Sequence, residues 1–191
     1  MKKRVFIIHG WDGSPQDGWF PWLKSELEKH NFEVYVPELP NPEEPRIDAW
    51  VKTLKNAVGV ANEDTYFVGH SIGCQTIARF LETLPENIKV GGIVFVAGYF
   101  ESLSNLEDDP VVKSVAKEWL ETPIDLAKVK THFKRSVAIF SDNDPYVQSS
   151  NIEAFEKIFK SKIITEHNMQ HFGNETGIKE LPVVLDSLLS F

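Results

Sequence analysis

A single cysteine, Cys74, stands in a chain of 191 residues, so no disulfide can form within it. That usage suits a reducing compartment. No apolar run approaches the ~20 residues of a membrane span or the roughly 7–15 of a secretory core. The run after Lys2-Lys3-Arg4 is only Val5-Phe6-Ile7-Ile8 before His9-Gly10. A cytoplasmic protein without a membrane partner is therefore expected. Basic residues are in deficit, Lys+Arg 20 against Asp+Glu 28 for a net −8, which argues against a nucleic-acid face. Repeats, low-complexity stretches and long charge blocks are missing as well. So are both glycine-rich phosphate motifs, G-x-x-x-x-G-K-[ST] and G-x-G-x-x-G, and nothing calls for an organic cofactor.

What remains is the composition of a globular domain, 42% hydrophobic and 25% charged. At this length one domain spanning residues 1–191 is the default. Short runs dense in Val, Ile, Phe and Tyr fall at Arg4–Ile8, Glu33–Val36, Thr65–Val68, Gly92–Val96, Ser136–Phe140 and Lys162–Thr165. Their lack of polar alternation suits strands covered on both faces. Between them apolar residues recur at helical spacing: Trp19, Trp22, Leu23 and Leu27; Ile47, Trp50, Leu54 and Val58; Ile77, Phe80, Leu81 and Leu84; Ile152, Phe155 and Phe159; Leu181, Val184, Leu185 and Leu188. Ser150 and Glu153 have the spacing of a capping box. Alternating strand and helix with right-handed crossovers predicts a three-layer α/β/α sandwich around a mostly parallel sheet of about six strands. Between Tyr99 and Phe133 no strand is expected, only helical pieces near Val111–Leu120 and Ile124–Val129. This 99–133 excursion is either a crossover with an extra helix or a small lid over a site.

In open parallel sheets, sites form at the carboxyl ends of the strands. Those ends carry His9-Gly10-Trp11-Asp12-Gly13, Gly69-His70-Ser71-Ile72-Gly73, Ala97-Gly98-Tyr99, Ser141-Asp142-Asn143-Asp144-Pro145 and the stretch from His167 to His171. The second is G-x-S-x-G between a strand and a helix. A nucleophile held proud of a sheet needs a strained turn, with flanking positions that lack side chains. The helix start below it offers free N–H groups to a developing oxyanion. A chance match arises in roughly one chain in fifteen of this length, and the strand-to-helix context lowers that further. The plain alternative is a glycine-rich turn with an idle serine.

A serine hydroxyl needs a base to take its proton, and the base needs a carboxylate to set its tautomer. Asp144 and His171 follow Ser71 in the order Ser, acid, His, each just past a strand. Asp142 shares that position, and Asp144 is preferred because Asp142 is better placed to cap the turn. Backbone N–H groups of Trp11 and Ile72 are the expected oxyanion donors. Trp11, Tyr99, Trp119 and Tyr146 could line an acyl pocket, although core packing explains aromatics equally well. His70 is expected as a packed scaffold residue, Cys74 as a small buried hydrophobe, and His30 and His132 as surface residues at helix ends. His167 and His171 are spaced H-x-x-x-H, but loop residues surround them and no further ligand is near, so no metal site is expected.

His9-Gly10, Gly69–Gly73, Asp144-Pro145-Tyr146-Val147 and Gln170-His171-Phe172-Gly173 together resemble the α/β-hydrolase superfamily. With Gly18-Trp19-Phe20-Pro21-Trp22-Leu23 and Pro40-Asn41-Pro42, the whole chain resembles the small serine hydrolases related to retinoblastoma-binding protein nine and their bacterial relatives. The resemblance implies a six-stranded sheet and a triad of Ser71, His171 and Asp144. It departs at one point. Retinoblastoma binding uses L-x-C-x-E, whereas the one cysteine here lies in Ile72-Gly73-Cys74-Gln75-Thr76, so no protein partner is carried over. The expected function is hydrolysis of a small-molecule carboxylic ester, thioester or small amide through an acyl-enzyme on Ser71. The competing class is a binding protein that keeps this scaffold with little or no turnover.

Overall fold

The computed structural model describes residues 2–191. Six strands among these residues form one all-parallel sheet: β1 (Arg4–Ile8), β2 (Glu33–Tyr35), β3 (Thr65–His70), β4 (Gly92–Val96), β5 (Ser136–Ser141) and β6 (Lys162–Glu166), in the order β2-β1-β3-β4-β5-β6. Two of the expected strands, Arg4–Ile8 and Gly92–Val96, appear unchanged, and the other four end one or two residues from where they were expected. Alternate side chains divide the core in two. Phe6, Ile8, Phe67, Ile93 and Phe95 face one helical layer, while Val5, Ile7, Val68, Val94 and Val96 face the other.

The first layer holds α2 (Ile47–Val58), α3 (Ile72–Glu82), α4 (Pro110–Glu121) and α5 (Leu126–Thr131). The second holds α1 (Phe20–Lys29) and, as the last helix, α7 (Pro182–Leu189). Between β5 and β6 a single turn, α6 (Ser150–Glu153), runs on as π-helix over Ala154–Ile158. That helix starts where the Ser150–Glu153 spacing put it, but the capping box is not made. Ser149 occupies the cap position and no side chain there accepts an N–H, so Ser150 falls inside the first turn.

The 99–133 excursion contains α4 and α5 and no strand. Asp109 caps α4 by accepting from the N–H groups of Val111 and Val112. The far end of α4 is tied to α3 by Arg79, 5% exposed, whose guanidinium donates to the carbonyls of Trp119, Thr122 and Pro123. A cation at a helix C-terminus satisfies carbonyls that the helix leaves free. His132 departs from expectation. It does end α5, but it is fully buried with Nδ1 2.9 Å from the carbonyl oxygen of Ile88, because the segment after α5 turns inward to pair Phe133 with Val90.

The chain leaves β1 toward β2 on one side and returns to β3 on the other, so strand order reverses between β1 and β3. Loops diverge there and leave a crevice. Residues Gly10–Gly13 and the Ser71 turn both open into it.

Candidate active site

Ser71 sits between β3 and α3 with φ 54° and ψ −123°, a conformation L-residues seldom adopt. Its own N–H is held by the Val96 carbonyl at 2.9 Å, and its side chain caps nothing in α3. The hydroxyl is thereby left free to point away from the helix. Two glycines make the turn possible. A Cβ on Gly69 would lie 2.8 Å from the Cys74 nitrogen, and one on Gly73 would press on the carbonyl oxygens of Ile8 and His9. Packing this close lets α3 start directly behind the serine.

Ser71 Oγ lies 2.9 Å from Nε2 of His171, whose Nδ1 lies 2.8 Å from Oδ2 of Asp144. Asp144 accepts further from the N–H groups of Tyr146 and Val147 through Oδ1, at 2.8 and 3.0 Å. Its side chain is 3% exposed and that of His171 13%. A carboxylate needs a donor at Nδ1, which leaves Nε2 as an acceptor for the serine proton. The arrangement can remove a proton from Ser71 and stabilise the imidazolium that results.

Asp142 points elsewhere. It accepts from the Asn168 N–H at 2.9 Å and pairs with His167 Nδ1 at 2.6 Å. The Asn168 N–H and then His167 hold its carboxyl below the ordinary range, while Asp142 raises His167. The two histidines of the H-x-x-x-H spacing thus face two different carboxylates.

The loop carrying His171 has little regular structure, and side chains from the end of β5 hold it. The N–H of Asn168 goes to Asp142, that of Met169 to Ser141 Oγ at 3.0 Å and that of Gln170 to Asn143 Oδ1 at 2.8 Å. Four successive residues, Ser141 to Asp144, therefore grip four others, Asn168 to His171. Sequence reasoning found only the last of these pairings.

A cavity of about 660 Å³ opens over Ser71 and His171. Trp11, Tyr146 and the nearly buried Tyr99 lie along its wall, and Leu103, Leu106 and Val112 from the excursion join them. Tyr146 meets the His171 ring edge-on at 5.1 Å. Trp119 does not line the cavity. It is 1% exposed, packs edge-on against Trp50 and donates Nε1–H to the Pro45 carbonyl, so the expectation that it touches substrate is corrected to a core role. Among the described residues the loop and turn hydrogen bonds give no backbone acceptor to the N–H of Trp11 or of Ile72. Both residues flank the serine turn, and Ile72 is the first residue of α3.

Cys74 is fully buried, and burial pushes its thiol well above the usual range, as a packed hydrophobe should behave. No helix among the described residues is long and apolar enough to cross a membrane.

The Serine hydrolase family model matches residues 5–190. The Bacillus subtilis (strain 168) protein YdeN is 33% identical over 100% of this chain and 97% of its own. The crystal structure of the ydeN gene product superimposes with a TM-score of 0.88, covering 98% of this chain and 97% of that one. At 15% identity, the esterase RhEst1 from Rhodococcus shares the fold with a TM-score of 0.70, over 100% of this chain and 90% of that one. Est1E from Butyrivibrio proteoclasticus, solved with ferulic acid bound, gives 0.70 at 15% identity over 98% and 87%. The resemblance drawn from the motifs holds, and the chain belongs to the serine hydrolase family, built on the α/β-hydrolase fold.

Proposed function

We propose that the protein hydrolyses a small, uncharged carboxylic ester through an acyl-enzyme on Ser71. The observation that carries this reading is the unbroken chain of hydrogen bonds from Ser71 Oγ through His171 to Asp144. Ser71 Oγ attacks the carbonyl carbon while His171 Nε2 takes its proton, and Asp144 steadies the imidazolium. The N–H groups of Trp11 and Ile72 receive the oxyanion, the latter aided by the positive end of α3. Collapse expels the alcohol, which takes the proton back from His171. Water, deprotonated by the same nitrogen, then attacks the acyl-enzyme and releases the acid.

The cavity walls favour an ester of modest size. They are apolar on the side of Leu103, Leu106 and Val112, and the lining carries Asp12, Asp17, Glu43, Glu107 and Glu175 with no Lys or Arg. Such walls repel carboxylates and phosphates, so phosphate-bearing thioesters fit poorly. Est1E, which has this fold, has been solved with ferulic acid bound, a ligand of compact aromatic size. On this reading the stretch from Tyr99 to Val112 roofs the acyl site and the rest of the excursion supports it. With its single buried thiol we assign the protein to the cytoplasm.

The test is labelling with a fluorophosphonate probe. Wild type takes up the probe at Ser71, and Ser71→Ala abolishes uptake while the melting temperature hardly moves. Undiminished labelling of Ser71→Ala refutes the assignment.

A further inference from the structure

His70 stands directly before the nucleophile, and the reaction written above gives it no task. Its ring is 7% exposed and is packed among Trp19, Phe20 and His171, with centroids 6.3, 6.2 and 5.2 Å away. Its Nε2 lies 2.7 Å from the backbone carbonyl oxygen of His171. A carbonyl only accepts, so this nitrogen carries the proton and donates. Burial, and then the neighbouring His171, push the His70 pKa down to about 3. The ring is therefore neutral at working pH and fixed as the Nε2–H tautomer. Nδ1, left bare, faces Gly10, where a Cβ would come within 2.9 Å of it. The absence of a side chain at Gly10 makes room for the ring.

The carbonyl that His70 holds belongs to a strained piece of chain. His171 lies between Gln170 at φ 47° and Phe172 at φ 58°, both left-handed and neither glycine. Such conformations persist only where surrounding contacts over-determine them. Phe172 is fixed by burial and by Trp19, whose Nε1–H donates to its carbonyl at 3.2 Å. Gln170 is fixed by Asn143. Between the two, the backbone of His171 has the His70 ring.

We propose that His70 is a positioning residue for His171, holding its backbone carbonyl so that the ring stays in line between Ser71 Oγ and Asp144. This rests on the reading of His171 as the base. Two bonds then join the nucleophile turn to the base: Ser71 Oγ to the His171 ring, and the His70 ring to the His171 main chain. The distance a proton must travel is thereby set within one short stretch of β3 and is insulated from motion of the exposed loop. A misplacement of ~1 Å in such a constellation costs about 10²-fold in rate.

The experiment compares wild type with His70→Phe, which keeps a flat ring and loses the donor, and His70→Gln, whose amide can reach the same carbonyl. Hydrolysis of p-nitrophenyl butyrate is followed with active sites titrated, beside the rate of fluorophosphonate labelling. In His70→Phe, kcat falls about 10²-fold with KM nearly unchanged, and the labelling rate falls in step. His70→Gln regains at least about tenfold of that loss. Equal kcat in wild type and His70→Phe overturns the proposal, as does a rise in KM alone, which would make His70 a wall of the substrate site. Failure of Gln to rescue overturns it too, since packing rather than the hydrogen bond would then matter. If His70→Phe does not fold by circular dichroism, His70→Asn, polar but too short to reach, replaces it with the same expectations. A wild type that neither labels nor turns over instead removes the parent reading, and the role of His70 with it.

Discussion

Replacing Asp144 and Asp142 by asparagine, one at a time, separates two carboxylates that share a loop and differ in what they touch. Asp144 Oδ1 accepts two backbone N–H groups and Oδ2 accepts Nδ1–H of His171. An amide must keep its oxygen toward the two fixed backbone donors, so its NH₂ faces His171. Two donors cannot share that contact. The imidazole responds by moving its proton to Nε2, which then donates to Ser71 and cannot take the serine proton. In triads of this geometry the wrong tautomer costs about 10⁴ in turnover. At about 1.4 kcal/mol per decade, that is about 5.5 kcal/mol on the barrier. Asp142→Asn loses only the charge opposite the exposed His167 and keeps an oxygen for the Asn168 N–H. Its turnover stays within about tenfold of wild type, about 1.4 kcal/mol. The assay is steady-state hydrolysis of p-nitrophenyl butyrate with active sites titrated, accompanied by thermal melts. Asp144→Asn within tenfold of wild type, or the two variants in reversed order, refutes the reasoning about tautomers.

Other outcomes follow from burial. The folded-state pKa of His70 lies below the unfolded value, so the unfolded chain binds the extra proton between about pH 6.5 and 3, and stability falls as pH drops through that window. By pH 4 the difference is of order 3 kcal/mol, so urea melts at pH 7 and pH 4 show a smaller acid loss for His70→Gln than for wild type. Leu103→Ala, which enlarges the apolar side of the cavity, raises octanoate over butyrate ester turnover. Trp119→Ala leaves that ratio unchanged and lowers stability by about 3–5 kcal/mol, measured by denaturant titration.

The sheet was legible because a strand covered on both faces is an unbroken apolar run, as Val5–Ile8 and Ile93–Val96 are. The strained turn at Ser71 was legible because its demands are local: two glycines around a serine, between a strand and a helix. Asp144 and His171 needed chain order and strand ends as well. The remaining grip of Ser141, Asp142 and Asn143 on Asn168, Met169 and Gln170 left no sequence signal, because side chains there meet backbone N–H groups 26 to 28 residues away with no periodicity. Trp119 misled because a tryptophan beside a site and one facing a neighbouring helix read alike. His132 misled because a polar ring at a helix end is usually wet, and only the inward turn at Phe133 makes it dry.

β3, which carries Ser71, is buried along its whole length and bonded on both flanks, whereas β6 lies at the edge of the sheet with each of its residues partly exposed. The centre and the edge of the sheet therefore stand on ground of very unequal firmness. Brief openings that free an edge strand cost much less than those that dissolve the centre of a sheet. Such an opening loosens the chain that enters the loop carrying His171, while Ser141–Asp144 at the end of β5 and the His70 ring keep their hold on Asn168–His171. Loosening of this kind is reversible and leaves most of the fold untouched, so the rim of the sheet can open well before Ser71 and His171 come apart.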